Sequence, residues 1–206
     1  METEPTAMRR VATVASAVLS RVRGRAAVDE RPPIVVRRPN FRFDPAASRL
    51  WYRHALVPHA LSPLFPAGER FFIQSVLAFR DRVSDPVLLE QIRAFVAQEA
   101  VHTAAHLDYD ASVQPHYDTA AMERQTEAVL AFASAVLQRL DGVVLDRARM
   151  ELAATVGLEH FTALLGEQLL TTRDQLHDAD PEFAALWLWH AVEEIEHKAV
   201  AFDVFK

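Results

Sequence analysis

Two segments of the chain repeat one pattern, Glu-x-x-His: Glu99 with His102, and Glu194 with His197. Residues three apart share a helix face, so each pair can present a carboxylate and an imidazole to one point. Two further glutamates, Glu69 and Glu159, fall on apolar stripes that carry no Lys or Arg. An unpaired buried charge costs several kcal/mol or loses its charge. Four such carboxylates among histidines point to metal ions as the compensating charge; the competing explanation is a buried polar network. One Glu from each of two helices and Glu-x-x-His from each of two others is the ligand pattern of a di-metal carboxylate bundle. The expected ligands are Glu69, Glu99, His102, Glu159, Glu194 and His197, with His190, one turn before Glu194 on the same face, as a seventh ligand or else a hydrogen-bonding support. His106, one turn after His102, is either a further ligand or a hydrogen-bonding support for one. His160 points about 100° away from Glu159 around its helix and is assigned to packing or hydrogen bonding.

The stripes that carry these residues are those of core-facing helices. Leu88, Leu89, Ile92, Phe95 and Val96 lead into Glu99, His102 and His106. Phe183, Leu186 and Trp187 lead into His190, Glu194 and His197, and then into Val200, Ala201 and Val204. Glu159 stands between Leu152, Val156, Ala163 and Leu170, and Glu69 precedes Phe72 and Val76. Along each stripe the residue type changes from hydrocarbon to ligand.

Five helices are needed to position the set, over about 67–82, 86–109, 119–140, 143–172 and 181–206. Asp85-Pro86 and Asp180-Pro181 are start signals, an N-cap followed by proline at the first helical position. Glu99 lies 13 residues after Pro86, and Glu194 lies 13 after Pro181. Glu69 and Glu159 lie 13 before Arg82 and Thr172, the expected ends of their helices. At ~1.5 Å per residue all four carboxylates sit ~20 Å from their hairpin turns, at one level. The two hairpins then look duplicated, and the 119–140 helix is the crossover between them. The expected fold class is all-α, an antiparallel four-helix bundle with an added crossover helix and an irregular N-terminal arm. Residues 1–48 are assigned to a basic, partly disordered arm and 49–206 to the helical domain. Seven prolines between residues 26 and 66 mark that stretch as extended or looped.

Composition narrows the chemistry further. The chain has 206 residues, a net charge of −6 and no cysteine, so thiolate zinc sites, iron–sulfur clusters and cysteine nucleophiles are excluded. Residues 1–48 hold nine Arg against five Asp/Glu, a net of +4; the rest carries −10. An acidic body argues against nucleic acid as a partner. No apolar run approaches the 18 residues of a transmembrane helix, and the run VATVASAVLS lacks a convincing cleavage site. The expected location is cytoplasmic, with membrane-surface contact through the basic arm as the further option. The expected partners are a small organic substrate, an electron donor and a second copy of the chain. His54, His59, His116 and His177 are assigned to surface loops. Trp51, Trp187 and Trp189 are assigned to core or pocket wall, and Glu193 and Glu196 to a solvated face or to support of the ligands.

FPAGERFF (65–72), QEAVHTAAH (98–106), GLEHFTALL (157–165) and WLWHAVEEIEHKAVAFDVF (187–205) resemble the family of predicted metal-dependent hydrolases, a branch of the ferritin-like superfamily. The resemblance covers residues 35–206. It implies a ferritin-like di-metal bundle holding two metal ions, usually taken as iron; manganese and zinc suit the same donors. His190-x-x-x-Glu194-x-x-His197 is also similar to the extra-histidine helix of the p-aminobenzoate N-oxygenase type of di-iron enzyme, which implies His190 as an added ligand. Members of the family normally continue past this chain's end, so a C-terminal truncation at Lys206 is expected. The expected function is an oxygen-activating di-iron oxidase or oxygenase. Its alternatives are a metal-dependent hydrolase, as the family label has it, and a non-enzymatic metal-binding protein.

Overall fold

The computed structural model describes residues 34–47, 56–142, 146–172, 176 and 179–206. The arm up to residue 33, the boundary at residues 48 and 49, Trp51, His54 and His177 lie outside the described residues. Those described are helical or irregular, with no strand among them. In chain order the helices are α1 Leu56–Leu61, α2 Phe65–Leu77, α3 Pro86–Val113, α4 Thr119–Leu140, α5 Arg147–Thr171, α6 Pro181–His197 and α7 Val200–Phe205. No helix among the described residues is long and apolar enough to cross a membrane.

Four aspartates set the starts of the long helices. Asp85, Asp118, Asp146 and Asp180 each accept a hydrogen bond from a first-turn backbone N–H, that of Val87, Ala121, Arg149 and Glu182 respectively. Such caps satisfy donors that have no partner inside the helix. Asp146 therefore moves the start of α5 to Arg147, later than the 143 expected from the hydrophobic pattern. Three further expectations are corrected. The proline-rich stretch is not loop throughout: it contains α1, a 3-10 turn at Ser62–Leu64 and the start of α2. Pro63 and Pro66 stand in the first turns of their elements, where a backbone donor is not required. The helix expected to reach Arg82 ends at Leu77, followed by a 3-10 turn at Arg80–Arg82, and the last helix is interrupted at residues 198–199 between α6 and α7.

Helix α2 packs on α3 and α5 on α6, with further contacts of α2 on α5 and of α3 on α6. Helix α6 is the centre: every residue from Phe183 to Ile195 is buried, as expected of a helix that is apolar nearly all round. Helix α4 crosses outside, resting on α2, α3 and α5, and its outer face leaves Val129 and Phe132 exposed. Two apolar clusters result. One gathers Tyr109, Val113, Leu170, Phe183, Leu186 and Ile195; the other gathers Phe72, Val76, Ile92, Phe95, Leu152 and Val200. Along α3 and α6 the Glu-x-x-His segments fall between the residues of these clusters, so hydrocarbon flanks them on both sides.

Candidate metal centre

The seven residues expected as ligands come together, from α2 (Glu69), α3 (Glu99, His102), α5 (Glu159) and α6 (His190, Glu194, His197). All seven are buried, Glu99, His102, Glu159 and His197 completely. Three-residue groups with donor atoms mutually within 4.8 Å are Glu99–Glu194–His197, His102–His190–Glu194, Glu69–Glu99–His102 and Glu69–His106–His190. Glu159 joins the first group through its Oε2, 3.3 Å from His197 Nε2. The cluster has two ends: His197 with Glu159 at one, His102 and His190 with Glu69 at the other. Glu99 and Glu194 belong to groups at both ends.

Whether these residues fit metal ions is tested by their unsatisfied atoms. Glu69 Oε1, both oxygens of Glu99, His102 Nδ1, both oxygens of Glu159, Glu194 Oε2 and His197 Nε2 are buried without a hydrogen-bond partner of acceptable geometry. Buried polar atoms are almost always paired, and these eight exceptions share one place. Imidazole nitrogen and carboxylate oxygen are the donor set of iron, manganese and zinc. The residues fit.

The ring atoms that face away from this centre are tied down. His102 Nε2 meets Glu193 Oε2 at 3.1 Å, which turns its Nδ1 toward Glu194 Oε1 (3.6 Å) and Glu99 Oε2 (4.0 Å). His197 Nδ1 donates to Gln98 Oε1 at 3.0 Å, leaving Nε2 beside Glu99 Oε1 at 3.0 Å. His190 Nδ1 meets His106 Nε2 at 2.6 Å, and its Nε2 lies 2.8 Å from Glu194 Oε1. His106 Nδ1 is in turn bonded to Ser62 Oγ at 2.8 Å. With both ring nitrogens engaged, His106 has the geometry of a support for His190.

Several positions depart from the sequence expectations. Glu193 is fully buried, so the solvated-face option is corrected: it holds His102, Trp189 and Arg37. His59 is not a surface-loop residue. It lies buried in α1 with Nδ1 2.8 Å from Tyr109 Oη, and burial pushes it down to about 4. His160 is exposed and takes no place in the core. Trp187 and Trp189 are buried against His106 and His102. Arg37 carries no motif, and only the path of residues 34–43 along α6 brings it to Glu193 and Glu196.

Burial governs the protons of the metal-free site. It pushes Glu99 up to about 8 and Glu159 up to about 7, against the pull of His197, and it raises Glu69, helped by Glu99. Burial and His190 hold His102 and His106 below the usual histidine range. Burial would lower His197, but Glu159, Glu99 and Glu194 together raise it. Burial would raise Glu194, yet His197 and His190 hold it low. A carboxyl raised from 4.5 to about 8 keeps a proton that the unfolded chain has lost. Its stabilisation is complete below 4.5 and disappears as pH rises through 8. The raised His197 acts with the same sign. The lowered histidines act oppositely only below their ordinary value of 6.5. The Tm of chelator-treated protein should therefore fall from pH 6.5 to 8.5. Metal binding displaces those protons and tightens with pH, so the added thermal stability from cobalt should grow over the same interval. Melting curves with and without metal check both slopes; a rising metal-free Tm contradicts this proton distribution.

Over residues 35–206 the sequence matches the family described as predicted metal-dependent hydrolase. No curated protein and no solved structure matches it. The match covers most of the chain and every residue of the cluster, and the chain belongs to the family of predicted metal-dependent hydrolases.

Proposed function

We propose that the cluster is a di-metal centre, that the helices around it form a ferritin-like bundle, and that the protein is an oxygen-activating di-iron oxidase or oxygenase. One observation carries this: four helices deliver seven buried donor residues, and the unsatisfied atoms of six of them gather in one cluster inside an apolar and aromatic shell. Glu159 with His197 would hold one ion, Glu69 with His102 and His190 the other, and Glu99 and Glu194 would serve both. Two bound iron ions supply electrons and open coordination positions for oxygen. The chain's own part is to fix the donors and exclude water. Phe65 packs at 4.7 Å between ring centroids on both His106 and His190, Phe95 at 5.0 Å on His197, and Trp189 at 4.8 Å on His102. A dry, closed site suits a small apolar co-substrate and protects reactive species from side reactions. The substrate proposed is a small organic molecule, with an external electron donor.

The family description favours a second reading, a hydrolase in which two metals activate water. Redox behaviour separates the two. Anaerobic loading with ferrous iron followed by oxygen should give oxygen consumption and new visible absorption, and the zinc form should give neither. Hydrolysis by the zinc form without oxygen would favour the second reading.

His190→Ala should keep most of its metal, because both Glu-x-x-His pairs remain and water can take the vacated position. Its single-turnover oxygen rate or spectrum should change. A lowered Tm with unchanged oxygen kinetics would reduce His190 to a packing residue.

A further inference from the structure

Gln98 and Glu193 each stand one residue before a shared glutamate, Glu99 or Glu194, and each reaches across to the histidine of the other helix. Gln98 on α3 accepts from His197 on α6, and Glu193 on α6 accepts from His102 on α3. The crossing follows from the repeated pattern: neighbouring positions on two facing helices exchange supports. The supports differ in charge, since one is a neutral amide and the other a carboxylate.

Neither assignment is free to reverse. Gln98 donates its Nε2 to Val35 O at 3.1 Å and to Glu196 Oε2 at 3.3 Å, so its oxygen must face His197. Glu193 receives three donors: His102 Nε2 at 3.1 Å, Trp189 Nε1 at 2.9 Å and Arg37 at 3.0 Å. Burial raises the Glu193 carboxyl above its usual range, and the Arg37 guanidinium and the Trp189 N–H pull against this in favour of the anion. Residues 35–37 thus touch both supports, through the Val35 carbonyl and the Arg37 guanidinium.

We propose that Glu193 is a positioning residue that acts through His102, and that the charge difference between Glu193 and Gln98 makes the two metal positions inequivalent. This rests on the di-metal reading above. A carboxylate behind an imidazole fixes its tautomer and makes its other nitrogen a stronger donor than an amide does, and loss of such a partner typically weakens metal binding by roughly 10–100-fold. The effect belongs to the His102 end, because His197 keeps its own support.

The test is a calorimetric titration of the metal-free full chain with cobalt(II), alongside its visible spectrum. Wild type should take two ions in distinguishable steps. Glu193→Gln keeps the size and one acceptor but removes the charge. It should weaken one step by about 10–100-fold, leave the other within about threefold, and alter the cobalt bands of the weakened step alone. A structural role would instead lower the Tm and weaken both steps together. If Glu193→Gln does not fold, Arg37→Gln decides, with a smaller loss expected in one step only. Two ions in wild type with equal weakening of both steps, or with no weakening, overturns the proposal alone. Fewer than two ions in wild type overturns the di-metal reading and the proposal with it.

Discussion

A chain carrying Glu99→Ala together with Glu194→Ala should bind neither metal, where wild type should bind two. These two glutamates belong to donor groups at both ends of the cluster, so their loss strips carboxylates from each position at once. Removing even an indirect support of a ligand costs roughly 10–100-fold in affinity, and the loss of two shared carboxylates should exceed that at both positions. The fold should respond in the opposite sense. Glu69, Glu99, Glu159 and Glu194 are buried together, and holding carboxyl groups in such a place costs free energy that His197 and His190 offset in part and a metal offsets further. The metal-free double variant should therefore melt no lower than the metal-free wild type, despite the cavity. Elemental analysis and melting of both chains check this. Retention of two ions by the double variant would remove Glu99 and Glu194 from the centre, and a collapse of the metal-free fold would make them structural instead.

Gly166→Ala should destabilise the protein by about 1–3 kcal/mol, or roughly 2–10 °C in Tm for a chain of this size. In most exposed helical positions the same exchange is favourable by about 1 kcal/mol. At Gly166 the added Cβ would stand 2.9 Å from the Ala191 carbonyl oxygen and 3.2 Å from its Cα. Backbone cannot turn aside as a side chain does, so α5 and α6 must separate. Glu159 lies seven residues before Gly166 on α5, and Glu194 three after Ala191 on α6. The separation should therefore also weaken metal binding. Gly157→Ala is the internal control: it lies on the same helix, exposed, and its added Cβ meets nothing within 4 Å. It should leave the Tm unchanged or raise it. Equal behaviour of the two variants would show that the α5–α6 contact is not limiting.

The amino-acid pattern determined much of this protein. Helical period placed the ligand-type residues on core stripes, and aspartate–proline pairs marked where α3 and α6 begin. The 13-residue spacings expected Glu69, Glu99, Glu159 and Glu194 at one level, and the structure brings all four into the cluster, although α2 ends at Leu77 rather than Arg82. These features are local and periodic, and the burial of a stripe follows from its composition.

What surrounds the cluster was decided only in three dimensions. Arg37 stands in a stretch without period, and its meeting with Glu193 across 156 positions depends on how residues 34–43 lie against α6. Phe41 and Phe43 hold that stretch by packing on Trp189 and Phe183. Gln98 and Glu193 look like ordinary polar neighbours of a motif, and only the facing of α3 and α6 turns them into crossed supports. His59 is a surface residue by composition and a buried one by its place beside Tyr109. A stripe reports which face of a helix goes inward. It carries no information on which side chain of another segment arrives there, because that depends on the packing of elements distant along the chain.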